Sequence, residues 1–134
     1  LKKDLKDKAH NLIDIIEKTC IQVTGSPIGL IFFKKLQADI YRYMAMHQVG
    51  YDQKEKMEIK EQCHRAYKEA TYMLKMLRIQ RESHADQIDY IDSLRLSLNL
   101  NYACFLYEVD QKKKKHVSST ATAVSRSKHC SLIT

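Results

Sequence analysis

Apolar residues recur at steps of three and four through most of the first 110 residues, the period of an α-helix and not of a strand. Leu5, Ala9, Leu12, Ile13, Ile16 and Cys20 lay one stripe along a first helix, from Lys3 to about Ile21. Thr24-Gly25-Ser26-Pro27 then supplies a stop, a capping serine and a proline suited to the first helical position, which opens a second helix running to about Val49. Gly50-Tyr51-Asp52 punctuates the chain again. Ile59, Cys63, Ala66, Ala70, Met73, Leu74 and Leu77 mark a third helix from about Asp52 to Arg78, with Lys and Glu on its outer face. After a polar stretch from Gln80 to Gln87, Ile91, Leu94, Leu98, Tyr102 and Phe105 define a fourth helix that ends near Asp110.

With one proline, three glycines and no alternating pattern bounded by turns, the economical fold is all-α: four antiparallel helices in a bundle over residues 1–110. Residues 111–134 differ in kind. They hold Lys112, Lys113, Lys114, Lys115, Arg126 and Lys128 and no acidic residue, so the +7 net charge of the chain leaves only +1 on the preceding 110 residues. The lysine run and the small polar residues after it offer too little apolar surface to offset the entropy of ordering, which predicts a basic, disordered tail. Such a tail attracts phosphates without sequence specificity, and a helical module using it to bind nucleic acid or an anionic membrane is the alternative functional reading.

Several classes of function lack support. No run approaches the roughly 18 apolar residues of a membrane span, and the expected compartment is the cytoplasm. Cys20, Cys63, Cys104 and Cys130 stand singly with no CxxC pair to hold zinc, and read as free thiols. The six histidines show neither metal-ligand spacing nor a neighbouring nucleophile with an orienting carboxylate, so no catalytic residue, metal or cofactor is expected. A helical-repeat scaffold would need a fixed period, and none recurs.

The polar residues of the second and fourth helices are more informative. Lys35, Asp39 and Arg42, spaced at four and three, fall within about 60° of arc and form one polar stripe. An apolar arc of Phe32, Phe33, Leu36, Ile40, Tyr43 and Met44 lies beside it. On the fourth helix Ser97, Asn101 and Glu108 share a face next to Leu94, Leu98, Tyr102 and Phe105. Two such helices could wall an amphipathic groove with a cation on one side and an amide and carboxylate on the other. An arginine fork makes charge-assisted hydrogen bonds to phosphate and a tyrosine hydroxyl can add another, whereas an asparagine amide can pair with peptide backbone. The competing reading is a solvated or Asp-paired Arg42 and an Asn101 that makes a local structural bond.

Two stretches carry a resemblance. FKKLQADIYRYMA (residues 33–45) resembles the 14-3-3 segment in which an Asp precedes a Tyr-Arg-Tyr-Leu-Ala run. RLSLNLNYACFLYEV (residues 95–109) is similar to the family's Arg-Leu-Gly-Leu-Ala-Leu-Asn-Phe-Ser-Val-Phe-Tyr-Tyr-Glu-Ile segment, with Ser97 in place of the glycine. LIDIIEK (12–18) and AYKEA (66–70) add weaker likeness in the same order. The resemblance covers residues 1–110 and implies a partial 14-3-3 domain, from the later part of the fourth helix through the seventh of a nine-helix fold.

What the resemblance implies for function is a non-enzymatic adaptor that binds phosphoserine or phosphothreonine segments of client proteins in signal transduction. Arg42 and Tyr43 match the family's phosphate-binding pair, Lys35 a groove lysine, and Asn101 and Glu108 the residues that hold the peptide, with Leu100 on the apolar side. The intact family forms homo- or heterodimers. Its amino-terminal helices, which carry the dimer interface and the other two basic members of the phosphate pocket, have no counterpart among these 134 residues, and neither do the last two helices of the groove.

Overall fold

A computed structural model describes residues 2–47, 50–80 and 88–109. These form helix α1 (Lys2–Ile15), a π-helical turn (Ile16–Cys20), a short α2 (Ile21–Val23), α3 (Pro27–His47), α4 (Gln53–Gln80) and α5 (Ile88–Glu108). Four rods result, because α1, the π turn and α2 run on without a break. No strand occurs among the described residues. The expected disorder of residues 111–134 lies outside the described residues.

The helix ends are built from the punctuation in the sequence. Ser26 Oγ accepts the Gly29 amide at 3.3 Å, and Pro27 occupies the position where its missing N–H costs nothing. At Gly29 a Cβ would lie 2.4 Å from Thr24 Oγ1, so a larger residue there would have to push that side chain aside. Before α4, Gly50 takes the left-handed conformation at φ 80°. Asp52 and Glu55 then exchange bonds reciprocally, Glu55 N to Asp52 Oδ1 at 2.8 Å and Asp52 N to Glu55 Oε2 at 3.0 Å, a capping box that satisfies two otherwise orphaned amides.

Cross-helix contacts fix the directions. Gln37 bonds Glu17 at 2.8 Å whereas Lys6 meets Glu55, just past the far end of α3, so α1 and α3 run antiparallel. Lys34 pairs with Glu69 while Ile31 and Leu77 line one cleft, which sets α3 against α4. Arg78 reaches Asp92 at 3.6 Å and His64 meets Tyr102 at 2.8 Å, which sets α4 against α5. The helix α3 is the central rod, packed on α1, α4 and α5. Ile31, Ala38 and Met44 from it join Ile59, Cys63, Tyr67, Ala70 and Leu74 of α4 and Ile91, Leu98 and Phe105 of α5 in one apolar core.

Two faces differ from the pattern in the sequence. On the first rod, Ile13 and Ile16 are buried while Leu5 is 60% exposed and Leu12 47% exposed, because among the described residues it is mainly α3 that covers this rod. On α3, Phe32 is 43% exposed, whereas the charged stripe of Lys35, Asp39 and Arg42 faces inward. The polar side of this helix is a buried side, which polarity alone does not predict.

The free-thiol expectation holds at Cys20 and Cys63 and fails at Cys104, which is disulfide-bonded. Cys63 is fully buried, donates to the Ala38 carbonyl at 3.4 Å, and its ionisation is pushed well above the ordinary thiol range by burial. In native protein at pH 8, alkylation followed by peptide mass spectrometry should label the half-buried Cys20 and leave Cys63 unmodified until denaturant is added. Equal labelling of the two would contradict this packing.

Candidate functional site

The centre of the site is a carboxylate inside the bundle. Asp39, 1% exposed, lies on the inner face of α3 and collects partners from three helices. From its own helix Lys35, one turn earlier, gives an ion pair at 2.8 Å to Oδ2. From α4 the Tyr67 hydroxyl donates to Oδ1. From α5 Asn101 Nδ2 donates to the same Oδ1 at 3.1 Å, across 62 residues of sequence. Arg42, one turn after Asp39, completes the set: its Nε donates to the Tyr67 oxygen at 3.1 Å and its NH2 lies 3.9 Å from Asp39 Oδ1.

Burial makes this cluster cohesive. Lys35 is 6% exposed and Arg42 and Asn101 are both at 0%, so the ion pairs are shielded from the screening that weakens surface pairs. Burial by itself would disfavour the Arg42 cation, but Tyr67, Asp39 and Tyr43 outweigh that cost and hold its pKa above the ordinary value. The Tyr67 phenol is pushed far above its ordinary range, chiefly by burial and then by the Asp39 charge, so it serves as a proton donor to the carboxylate. Its ring stacks on Tyr102 of α5 at 5.2 Å between centroids and 22° between planes, next to Phe105. The buried Oδ1 of Asn101 has no hydrogen-bond partner among the described residues.

Of the residues read from the sequence, Lys35, Arg42 and Asn101 meet around Asp39. Tyr43 stays with Arg42, whose guanidinium carbon sits 4.7 Å from the centre of the Tyr43 ring. Tyr43 also lines an apolar cleft of about 300 Å³ between α1 and α3, with Leu5, Ala9, Leu12 and Met44. Leu100 is half-buried and takes no part in the cluster. Glu108 is half-buried two turns beyond Asn101, and it makes no hydrogen bond or ion pair among the described residues. Tyr67 and the hub role of Asp39 were not singled out in the sequence. The signal for Tyr67 lay in AYKEA, a short similarity that names no partner.

The fold and this cluster define a class: a helical bundle with a buried network of cations, carboxylate and amide shared by three of its helices. Residues 1–130 match the family model described as 14-3-3 protein. The chain belongs to the 14-3-3 family. It is 28% identical over 109 residues to 14-3-3 protein homolog 2 of Schistosoma mansoni, which covers 81% of this chain and 45% of that relative. It is 30% identical to 14-3-3 protein 2 of Entamoeba histolytica, covering 81% and 40%. A third relative, the checkpoint signal transducer rad25 of Schizosaccharomyces pombe, is 27% identical, covering 81% and 36%. The chain thus spans less than half the length of these curated relatives. No solved structure matches it.

Two measurements probe the cluster. Replacing Asp39 by Ala removes the shared acceptor and leaves buried donors unpaired, so urea unfolding should show a loss of roughly 3–5 kcal/mol, as when one partner of a buried ion pair is deleted. The Tyr67 phenol, raised in the folded state, contributes stability that is complete below the ordinary tyrosine value of about 10 and is lost as pH rises above it. Absorbance at 295 nm during an alkaline titration of native protein should therefore fall short of the eight tyrosines until the chain unfolds. Tyr41 and Tyr51, raised by burial, add to the deficit.

Proposed function

We propose that this chain is a phosphoserine- or phosphothreonine-peptide-binding adaptor segment, without catalytic activity, that acts in signal transduction. The observation that carries the reading is the convergence of Arg42 and Asn101, from two distant stretches, on the single carboxylate of Asp39. A cation suited to phosphate and an amide suited to peptide backbone are thereby held at a fixed separation. Arg42 with Tyr43 would serve the phosphate, Lys35 would supply electrostatic support, and Asn101 with Glu108 would hold the peptide chain, with Leu100 on the apolar side.

Family membership supports this assignment, and the name of one relative, the checkpoint signal transducer rad25, agrees with a role in signalling. Because Arg42 has no exposed surface here, a phosphate reaches it only when the side chains over the guanidinium move aside. We further propose phosphorylated client proteins as partners, a homo- or heterodimer as the form of the intact protein, and the cytoplasm as its location. For the last, no helix among the described residues is long and apolar enough to cross a membrane.

The test is a titration of a fluorescent Arg-x-x-pSer-x-Pro peptide and its unphosphorylated twin at two salt concentrations, against the chain and Arg42→Ala. Binding should depend on the phosphate and weaken tenfold or more in Arg42→Ala, since hydrogen bonds from a charged group contribute roughly 1.5–3 kcal/mol. Equal binding of the two peptides, abolished by salt, would reject the adaptor reading and leave only non-specific attraction to the lysine-rich segment.

A further inference from the structure

We propose that Tyr67 is the positioning residue of the phosphate-binding arginine: from a neighbouring helix, its hydroxyl fixes the direction of the Arg42 guanidinium and ties it to the amide of Asn101. The inference rests on the adaptor reading above. Tyr67 is not among the residues expected to touch a ligand.

The geometry supporting it is a relay through one oxygen pair. Arg42 Nε donates to the Tyr67 hydroxyl at 3.1 Å, and that hydroxyl donates to Asp39 Oδ1, so its proton and its lone pair are both committed. The same Oδ1 takes Asn101 Nδ2 at 3.1 Å. Arg42 meets Asp39 directly only at 3.9 Å through NH2, outside hydrogen-bond range, so the direct pair fixes no orientation. Tyr67 supplies the bond at Nε, which constrains the plane of the whole guanidinium, while NH1 reaches Met46 Sδ at 3.9 Å and the group lies over the Tyr43 ring. A long flexible side chain that would otherwise lose rotamer entropy on meeting a ligand is thereby ordered in advance.

The phenol is itself immobilised. Tyr67 has no exposed surface and is stacked on Tyr102, whose hydroxyl is hydrogen-bonded to His64 at 2.8 Å, with Phe105 packed against both rings. Removing the hydroxyl alone leaves this aromatic packing intact. Tyr67→Phe is therefore a substitution that removes the partner of Arg42 Nε while keeping the ring.

The experiment is a double-mutant cycle on the full chain, with the same phosphorylated and unphosphorylated peptides, for the parent, Tyr67→Phe, Arg42→Ala and the double variant. Far-ultraviolet circular dichroism is recorded for each. Tyr67→Phe should weaken phosphopeptide binding roughly tenfold, the size of one hydrogen bond to a charged group, and leave the unphosphorylated peptide unaffected. In the Arg42→Ala background the same change should have no further effect, since a positioning residue has nothing left to position. The Arg42 Nε–H resonance, slow to exchange in the parent, should become fast in Tyr67→Phe.

A parent that discriminates phosphate while Tyr67→Phe binds equally well would overturn the positioning role and leave the adaptor reading standing. An equal loss in both backgrounds would show that Tyr67 acts on the fold, and would also overturn it. A parent that fails to distinguish the two peptides would reject the adaptor reading, and the positioning role with it.

Discussion

Everything in this bundle is arranged around a carboxylate that water cannot reach. A lone ionised Asp39 in an apolar interior would be prohibitively unfavourable, and it is stable only because donors from three helices converge on it. Each partner is anchored in the apolar packing of its own helix: Tyr67 among the rings of α4 and α5, Asn101 between Leu98 and Phe105, Lys35 and Arg42 one turn on either side along α3. The network therefore acts as a register pin. Sliding α4 along α3 by one turn, about 5.4 Å, would break both bonds of Tyr67, and sliding α5 would break that of Asn101, whereas an apolar interface could repack.

The same arrangement separates two kinds of electrostatics. Outside the core, Lys6–Glu55, Lys8–Asp4 and Arg65–Glu61 lie in contact with solvent and contribute little. Lys6 and Glu55 favour each other's charged forms, first through their hydrogen bond, yet both are only partly covered and stay open to solvent. Specificity resides in the buried set, where a missing partner is expensive and a substituted one changes geometry.

Much of the fold could be read from residues alone, and the reasons are local. Ser26 and Pro27 announce a helix start by chemistry that acts within one turn, and Gly50 with Asp52 does the same before α4. The placement of Lys35, Asp39 and Arg42 on one stripe also follows from helical period. What period could not decide was the direction that stripe faces. Amphipathicity would turn Phe32 inward and the charges outward, and the reverse occurs because Tyr67 and Asn101 supply partners from other helices. A tertiary hydrogen bond between residues 62 apart leaves no mark on either local pattern, so Asp39 as the hub and Tyr67 as its donor were not legible. The resemblance named Arg42 and Asn101 without saying what joins them, and the structure brings both to Asp39. Glu108 and Leu100, named by the same route, lie outside the cluster around Asp39.

The π turn at Ile16–Cys20 has a consequence for comparing this chain with others. A turn of that kind holds about one residue more than an α-helical turn and is accommodated without breaking the rod. Deleting a single residue there would let the rod relax to ordinary pitch, and everything before it would rotate by about 100° relative to α3. Ile13 would swing off the core and a neighbour would take its place. The first rod thus contains two frames of periodicity joined end to end, and a count of threes and fours carried straight through Ile16 would assign the wrong side of the helix to the residues beyond the turn.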